Sequence, residues 1–288
     1  TSRMMHGGRG GKRMMLGREE KKILKEIERW RAAPFRSGAV SAAIDTMFNP
    51  VEKIVERVIP QKAYDKVSAP LAGALMKFQD LSNEFVGLKA IVRKAGHAGL
   101  KVGEVEEFRK APIKYLDVLA ESISHKNVFY ATLHGLGSGS VGGAFSLVDL
   151  PVLFTLNLKM ILQIGACYGY RHDSIWDREF ALQIFCVTSS PSSEKPGHLR
   201  RMDDLGDSFI SGRFSKEKSI LMSEDGTRVF MSRMLRWFVR KHLTRDLFVL
   251  GIILGSGANY LYTKETAMCA YMFYRKRFLK EKASGMYS

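Results

Sequence analysis

Glycine recurs at every fourth position in two stretches of this chain: Gly135, Gly139 and Gly143 in one, Gly251 and Gly255 in the other, with Asn259 next on the same spacing. Gly165 and Gly169 make a third, shorter instance. Residues four apart lie on one face of a helix, so each series leaves a face bare of side chains. A glycine inside a helix costs about 1 kcal/mol relative to alanine, and the compensation is close approach of another backbone. Both long stretches are also uncharged: residues 127–148 and 247–263 contain no Asp, Glu, Lys or Arg. The second reaches only the lower limit of about 17 residues for a spanning helix and includes Ser256 and Asn259. Two solutions follow: a tightly packed core within a helical bundle, or a shallow hydrophobic hairpin directed at a membrane.

The rest of the chain has helical period almost throughout. Ile23, Leu24, Ile27 and Trp30 form an apolar stripe over residues 19–32, which Pro34 ends. Asn49 followed by Pro50 has the form of a cap and first helical residue, opening a helix over 49–59 that Pro60 closes. Further helical patterns cover 70–84 and 85–97, then 104–126, whose Glu104, Glu106 and Glu107 suit a helix N-terminus. Asp149-Leu150-Pro151 starts an apolar helix ending near Tyr170, and another covers 174–188. Residues 188–196 read as a Ser/Pro-rich loop, followed by a charged segment to Gly226. A basic helix is predicted over 227–245, and a last one over 264–282. The only strand candidate is 128–133. The fold class is therefore all-α, a multi-helix bundle with two glycine-rich apolar segments packed at its centre.

Charge narrows the partners. The formal net charge is +16, which favours polyanions, either nucleic acid or an anionic membrane face. Residues 227–245 carry Arg228, Arg233, Arg236, Arg240, Lys241 and Arg245 without an acid. On a helix Arg233, Arg236 and Arg240 share one face, and Phe230, Met234, Trp237 and Phe238 another. That is the pattern of a helix in an anionic membrane interface, or of a surface helix docked by its apolar side. Nucleic-acid reading lacks support, because no zinc-finger spacing, paired RNP aromatics or helix-turn-helix signature accompanies the charge. Cys167, Cys186 and Cys269 are far apart and outside any CxxC, which points to a reducing compartment and to neither a disulfide framework nor a zinc site. Residues 1–18 read as a flexible basic segment too poor in apolar residues for a signal-peptide core, and 284–288 as a tail.

Several motifs together resemble the EcsC protein family. Gly142-Gly143-Ala144-Phe145-Ser146-Leu147-Val148-Asp149-Leu150-Pro151, continuing through Asn157-Leu158-Lys159-Met160-Ile161 to Cys167-Tyr168-Gly169-Tyr170, is similar to that family's glycine-rich stretch, Asp-Leu-Pro step and Tyr-Gly-Tyr helix end. Leu254-Gly255-Ser256-Gly257-Ala258-Asn259-Tyr260, with Thr263 and a basic last helix, resembles its second signature, and Glu26-Ile27-Glu28-Arg29-Trp30 is similar to its N-terminal part. The likeness extends over 19–283, with 188–197 as a variable loop. It implies a helical bacterial protein, in some members beside an ABC-type transporter, without established catalytic residues or cofactor.

Enzyme readings find little to stand on. Gly137-Ser138-Gly139-Ser140-Val141-Gly142 satisfies GxGxxG, yet no βαβ unit or acidic ribose partner follows, and no GK[ST] is present. His172 with Asp173 and Asp177 reads as a polar helix connection carrying solvated charges. The candidate binding residues are His134, Asp149 and Asn259, although Asp149 reads first as a helix cap and Asn259 as a buried amide linking helices. The expectation is a non-enzymatic protein, with no cofactor and no metal, on the cytoplasmic side of a membrane or beside a membrane protein. The alternative is an enzyme or small-molecule or lipid binder with a pocket near Asp149 and Asn259.

Overall fold

The computed structural model describes residues 15–32, 83–139, 149–190, 195–214, 219, 230 and 254–286. Among these residues every regular element is helical. In chain order they are α1 (Arg18–Ala32), α2 (Asn83–Val86), α3 (Leu88–His97), a 3₁₀ turn (Val105–Lys110), α4 (Ile113–Gly139), α5 (Asp149–Cys167), α6 (Ile175–Thr188), α7 (Lys195–Ile210) and α8 (Leu254–Ala283). The chain is all-α.

Local chemistry sets the boundaries. Ser174 caps α6, its Oγ accepting the Asp177 N–H at 3.0 Å. Gly169 ends α5 at φ 92°, with Tyr170 N–H bonded to Gly165 O and Gly169 N–H to Ala166 O, a Schellman motif. The expected helix over 85–97 is divided by Gly87 at φ 75°. The expected helix over 104–126 is divided by Pro112, and α4 then runs unbroken through the 128–133 strand candidate, because no glycine there competes with local helix bonding until residue 135. The charged segment after residue 196 contains α7, and the last helix begins a turn or more before the predicted Lys264. The predicted helices over 49–59, 70–84 and 227–245 lie outside the described residues, apart from Phe230.

α8 is the hub, packing on α1, α4, α5 and α6. α5 is apolar around most of its circumference and is buried accordingly, with Met160, Ile161, Leu162 and Ile164 fully enclosed. α6 buries every residue from Glu179 to Thr188. α1 lays Ile27 and Trp30 inward, the Trp30 ring meeting Phe273 edge-on at 5.7 Å.

α4 and α8 run antiparallel, since Asp117 pairs with Arg275 at 3.0 Å and Glu121 accepts from the Tyr271 hydroxyl at 3.3 Å, four residues further on in one helix and four fewer in the other. Carried on at the same helical rise, this register brings Gly135 level with Gly257 and Gly137 level with Gly255. The described parts of the two uncharged stretches, 127–139 and 254–263, therefore lie at the same end of one helix pair.

Candidate functional site

Of the residues singled out from sequence, the described helical positions Gly135, Gly139, Gly255, His134, Asn259 and Asp149 fall toward that end. Gly135 and Gly139 are helical positions of α4, and Gly255 lies in the first turn of α8. His134 sits near the level of Asn259, and Asp149 opens α5 with Pro151 in its first turn. Asn127 donates to Gln163 at 2.9 Å, and α5 runs back from there, so Asp149 reaches the same end. The side chains of His134, Asp149 and Asn259 lie outside the described residues, as do Gly143, Gly251, Arg233, Arg236, Trp237, Phe238 and Arg240 entirely.

The opposite half of α8 holds a buried charge cluster that the sequence does not announce. Arg275, Lys276 and Arg277 are consecutive and all buried. Successive residues on a helix point about 100° apart, so each meets a different neighbour. Arg275 reaches Asp117 of α4 at 3.0 Å and Glu26 of α1 at 3.3 Å. Lys276 bonds Asp203 of α7 at 3.0 Å and Glu28 of α1 at 2.9 Å. Arg277 turns inward to Asp177 of α6 at 2.5 Å and to Glu281 at 2.7 Å.

Aromatic faces enclose Arg277. Its guanidinium stands 3.5 Å from the centroid of Tyr170 and 3.8 Å from that of Trp176. Tyr170 donates its hydroxyl to Glu281 at 3.1 Å and carries Arg109 at 5.3 Å from its ring centroid. Burial works against the charge of Asp177, yet Arg277 holds its carboxyl below the ordinary range; burial pushes Glu281 up against the pull of the same guanidinium.

His172 corrects the expectation of solvated charges. It is buried at φ 67°, a backbone conformation uncommon outside glycine, and its Nε2 stands 2.9 Å from the Leu162 carbonyl. A carbonyl only accepts, so Nε2 carries the proton and donates. Burial pushes the imidazole down to about 4, with Arg277 adding to the effect and Asp177 opposing it. Asp177 is half-buried beside Arg277, whereas Asp173 stays exposed, as expected of a solvated charge. His172 turns inward because α5, α6 and α8 converge on it, which spacing along the chain cannot reveal.

At Gly165 the bare position is filled by two side-chain rings and not by another backbone. A Cβ there would lie 2.6 Å from Tyr274 Cζ and 2.6 Å from His172 Cε1, so only a bare position admits both rings. The chemistry of this cluster is closed. Beside Arg277, a cleft of about 20 Å³ lined by Trp176, Phe180 and Phe273 has room for a single water. The three thiols are buried, and no group of His, Cys, Asp or Glu among the described residues is placed to hold a metal. No helix among the described residues is long and apolar enough to cross a membrane.

The Tyr-Gly-Tyr helix end and the basic last helix thus meet around one guanidinium, and the model of the EcsC protein family matches residues 21–279. The chain belongs to the EcsC protein family. It is similar to the uncharacterized protein YdbA of Bacillus subtilis (strain 168), 24% identical over 260 residues that cover 90% of this chain and 92% of that protein. It is also similar to Protein EcsC of the same organism, 23% identical over 239 residues covering 83% and 90%. No solved structure matches. The EcsC-family match takes in the glycine-rich stretches and, of the buried cluster, Tyr170, His172, Asp177 and Arg277.

Proposed function

We propose that this EcsC-family protein is a non-enzymatic component that works against an anionic membrane surface, on the cytoplasmic side of a bacterial cell membrane, alone or as an accessory to a membrane transporter. The observation that carries the reading is the acid-free basic stretch 227–245 on a chain of net charge +16. Phe230 of that stretch is buried against Phe154 at 5.9 Å and Phe185 at 6.2 Å. This supports an apolar side used within the bundle, and helical spacing alone puts Arg233, Arg236 and Arg240 on a different face. The closed surroundings of His172, Arg277 and the three thiols favour structure over catalysis at the described cluster.

Flotation of the full chain with vesicles at varied anionic-lipid content and salt tests the reading. Each basic residue near an anionic surface contributes about 1 kcal/mol, so replacing Arg233, Arg236 and Arg240 together by Ala lowers affinity by roughly two orders of magnitude at low salt. Failure of the unaltered chain to bind any anionic vesicle at low salt ends this reading. A second reading, a small-molecule or lipid pocket, draws on the placement of His134, Asp149 and Asn259 at one end of the bundle. A ligand-dependent rise in melting temperature that Asp149→Asn and Asn259→Ala abolish would favour it.

A further inference from the structure

α4 turns toward solvent a face that is largely apolar. Phe129, Tyr130 and Leu133 are 60%, 53% and 46% exposed, and Tyr115 and Val118 continue the row below them. Helical spacing places Tyr115, Val118, Lys126, Phe129, Tyr130 and Leu133 within a sector of about 120°, beside the sector from which Asp117 and Glu121 reach α8. Single exposed apolar residues are ordinary, whereas a row along one face marks an interaction surface. α8 extends this surface. Tyr260, Lys264 and Met268 are exposed at four-residue steps, on the stripe that Tyr271 and Arg275 continue down to Glu121 and Asp117.

The charges beside Tyr130 and Tyr260 are of one sign. Lys126 lies 5.8 Å from the centroid of Tyr130, and Lys264 lies 5.6 Å from that of Tyr260. Between Lys126 and Leu133 there is no acid, and between Tyr260 and Met268 the one acid, Glu265, is held by Lys195 at 2.5 Å. The antiparallel register puts the two lysines at nearly the same level, and beyond them both helices are free of formal charge to Gly139 and Leu254. A second copy of this chain would set lysine against lysine across a two-fold contact. An anionic bilayer instead offers phosphates to the ammonium groups and acyl chains to the rings, the arrangement in which Tyr and Lys sit at a membrane interface.

We propose that Lys126, Phe129, Tyr130 and Leu133 of α4, with Tyr260 and Lys264 of α8, form a face that seats in the interfacial zone of an anionic bilayer. The inference rests on the membrane reading above and assigns it a second contact, apolar and separate from residues 227–245. Because the three native cysteines are buried, Phe129→Cys gives one accessible thiol for an environment-sensitive nitrobenzoxadiazole label. With vesicles of phosphatidylcholine and phosphatidylserine its emission rises and shifts to the blue, while a label at Ser211→Cys, exposed beyond α7, does not respond. Replacing Phe129, Tyr130 and Leu133 together by Ser lowers vesicle affinity by about tenfold or more, with the circular dichroism unchanged. If the chain binds these vesicles while the label at 129 stays in water and the triple variant binds as well as the parent, this face is not the contact, and the membrane reading stands without it. Absence of binding by the unaltered chain removes both. A blue shift on concentrating the protein without lipid gives the face to a second copy and overturns the proposal.

Discussion

At the scale of single residues the glycines divide by what surrounds them. Gly165→Ala forces a Cβ to within 2.6 Å of two rings and is expected to cost about 1–3 kcal/mol as overpacking. Gly206, a helical position of α7 with nothing near its absent Cβ, is the opposite case, and Gly206→Ala adds about 0.5–1 kcal/mol. Denaturation midpoints of the two variants should move in opposite directions. His172 sets a pH dependence. Its folded value near 4 lies below the ordinary 6.5, so between these values the unfolded chain binds the extra proton. Stability is then full above about 6.5 and falls as pH drops toward 4, by on the order of 3 kcal/mol. Asp177, also held low, loses its contribution in the same direction at more acid pH, whereas Glu281, held high, opposes it. Urea titrations across this window should show the decline, and His172→Asn, which tolerates the same backbone conformation, should flatten it.

Between elements, the ion pairs of α8 differ by burial more than by distance. Lys280 and Asp207 stand 2.7 Å apart but are solvated, so Lys280→Ala changes stability by no more than about 0.5 kcal/mol. Arg277→Met leaves Glu281 enclosed and Asp177 half-buried without their cation, and a loss of about 3–5 kcal/mol is expected in equilibrium unfolding. Some elements were legible beforehand: the stripe of Ile23, Ile27 and Trp30 marks α1, and Ser174 marks the start of α6. Others were not. α4 continues beyond residue 126 into a Gly/Ser-rich stretch whose local propensity is poor, and packing along α8 offsets that weakness. α7 begins at Lys195-Pro196-Gly197, residues that ordinarily signal a loop, and is secured by Lys195 to Glu265 and by Phe209 stacked on Trp176 at 3.8 Å.

Across the whole molecule, the first described helix clasps the last. Glu20 bonds Lys282 at 2.6 Å, Glu28 bonds Lys276 at 2.9 Å, and Arg31 pairs with Asp203, which Lys276 also holds. Removing residues 1–32 strips these partners from α8, the element on which the core is assembled. The expected result is a lower midpoint for the entire unfolding transition, seen alike by far-ultraviolet dichroism and by Trp176 fluorescence, rather than a separate early step. The sequence by itself determined the helical class, because its apolar residues repeat at the helical period, and it determined the uncharged glycine stretches and the net charge, because these are properties of order and composition. It also carried the family resemblance. Only the tertiary structure decided which charges are buried and which apolar residues are wet. Arg277 meets Asp177 across a hundred positions, and Phe129 faces solvent because α8 occupies the neighbouring side of α4. Such outcomes depend on which faces of the helices meet, and no spacing within a single helix records its neighbours.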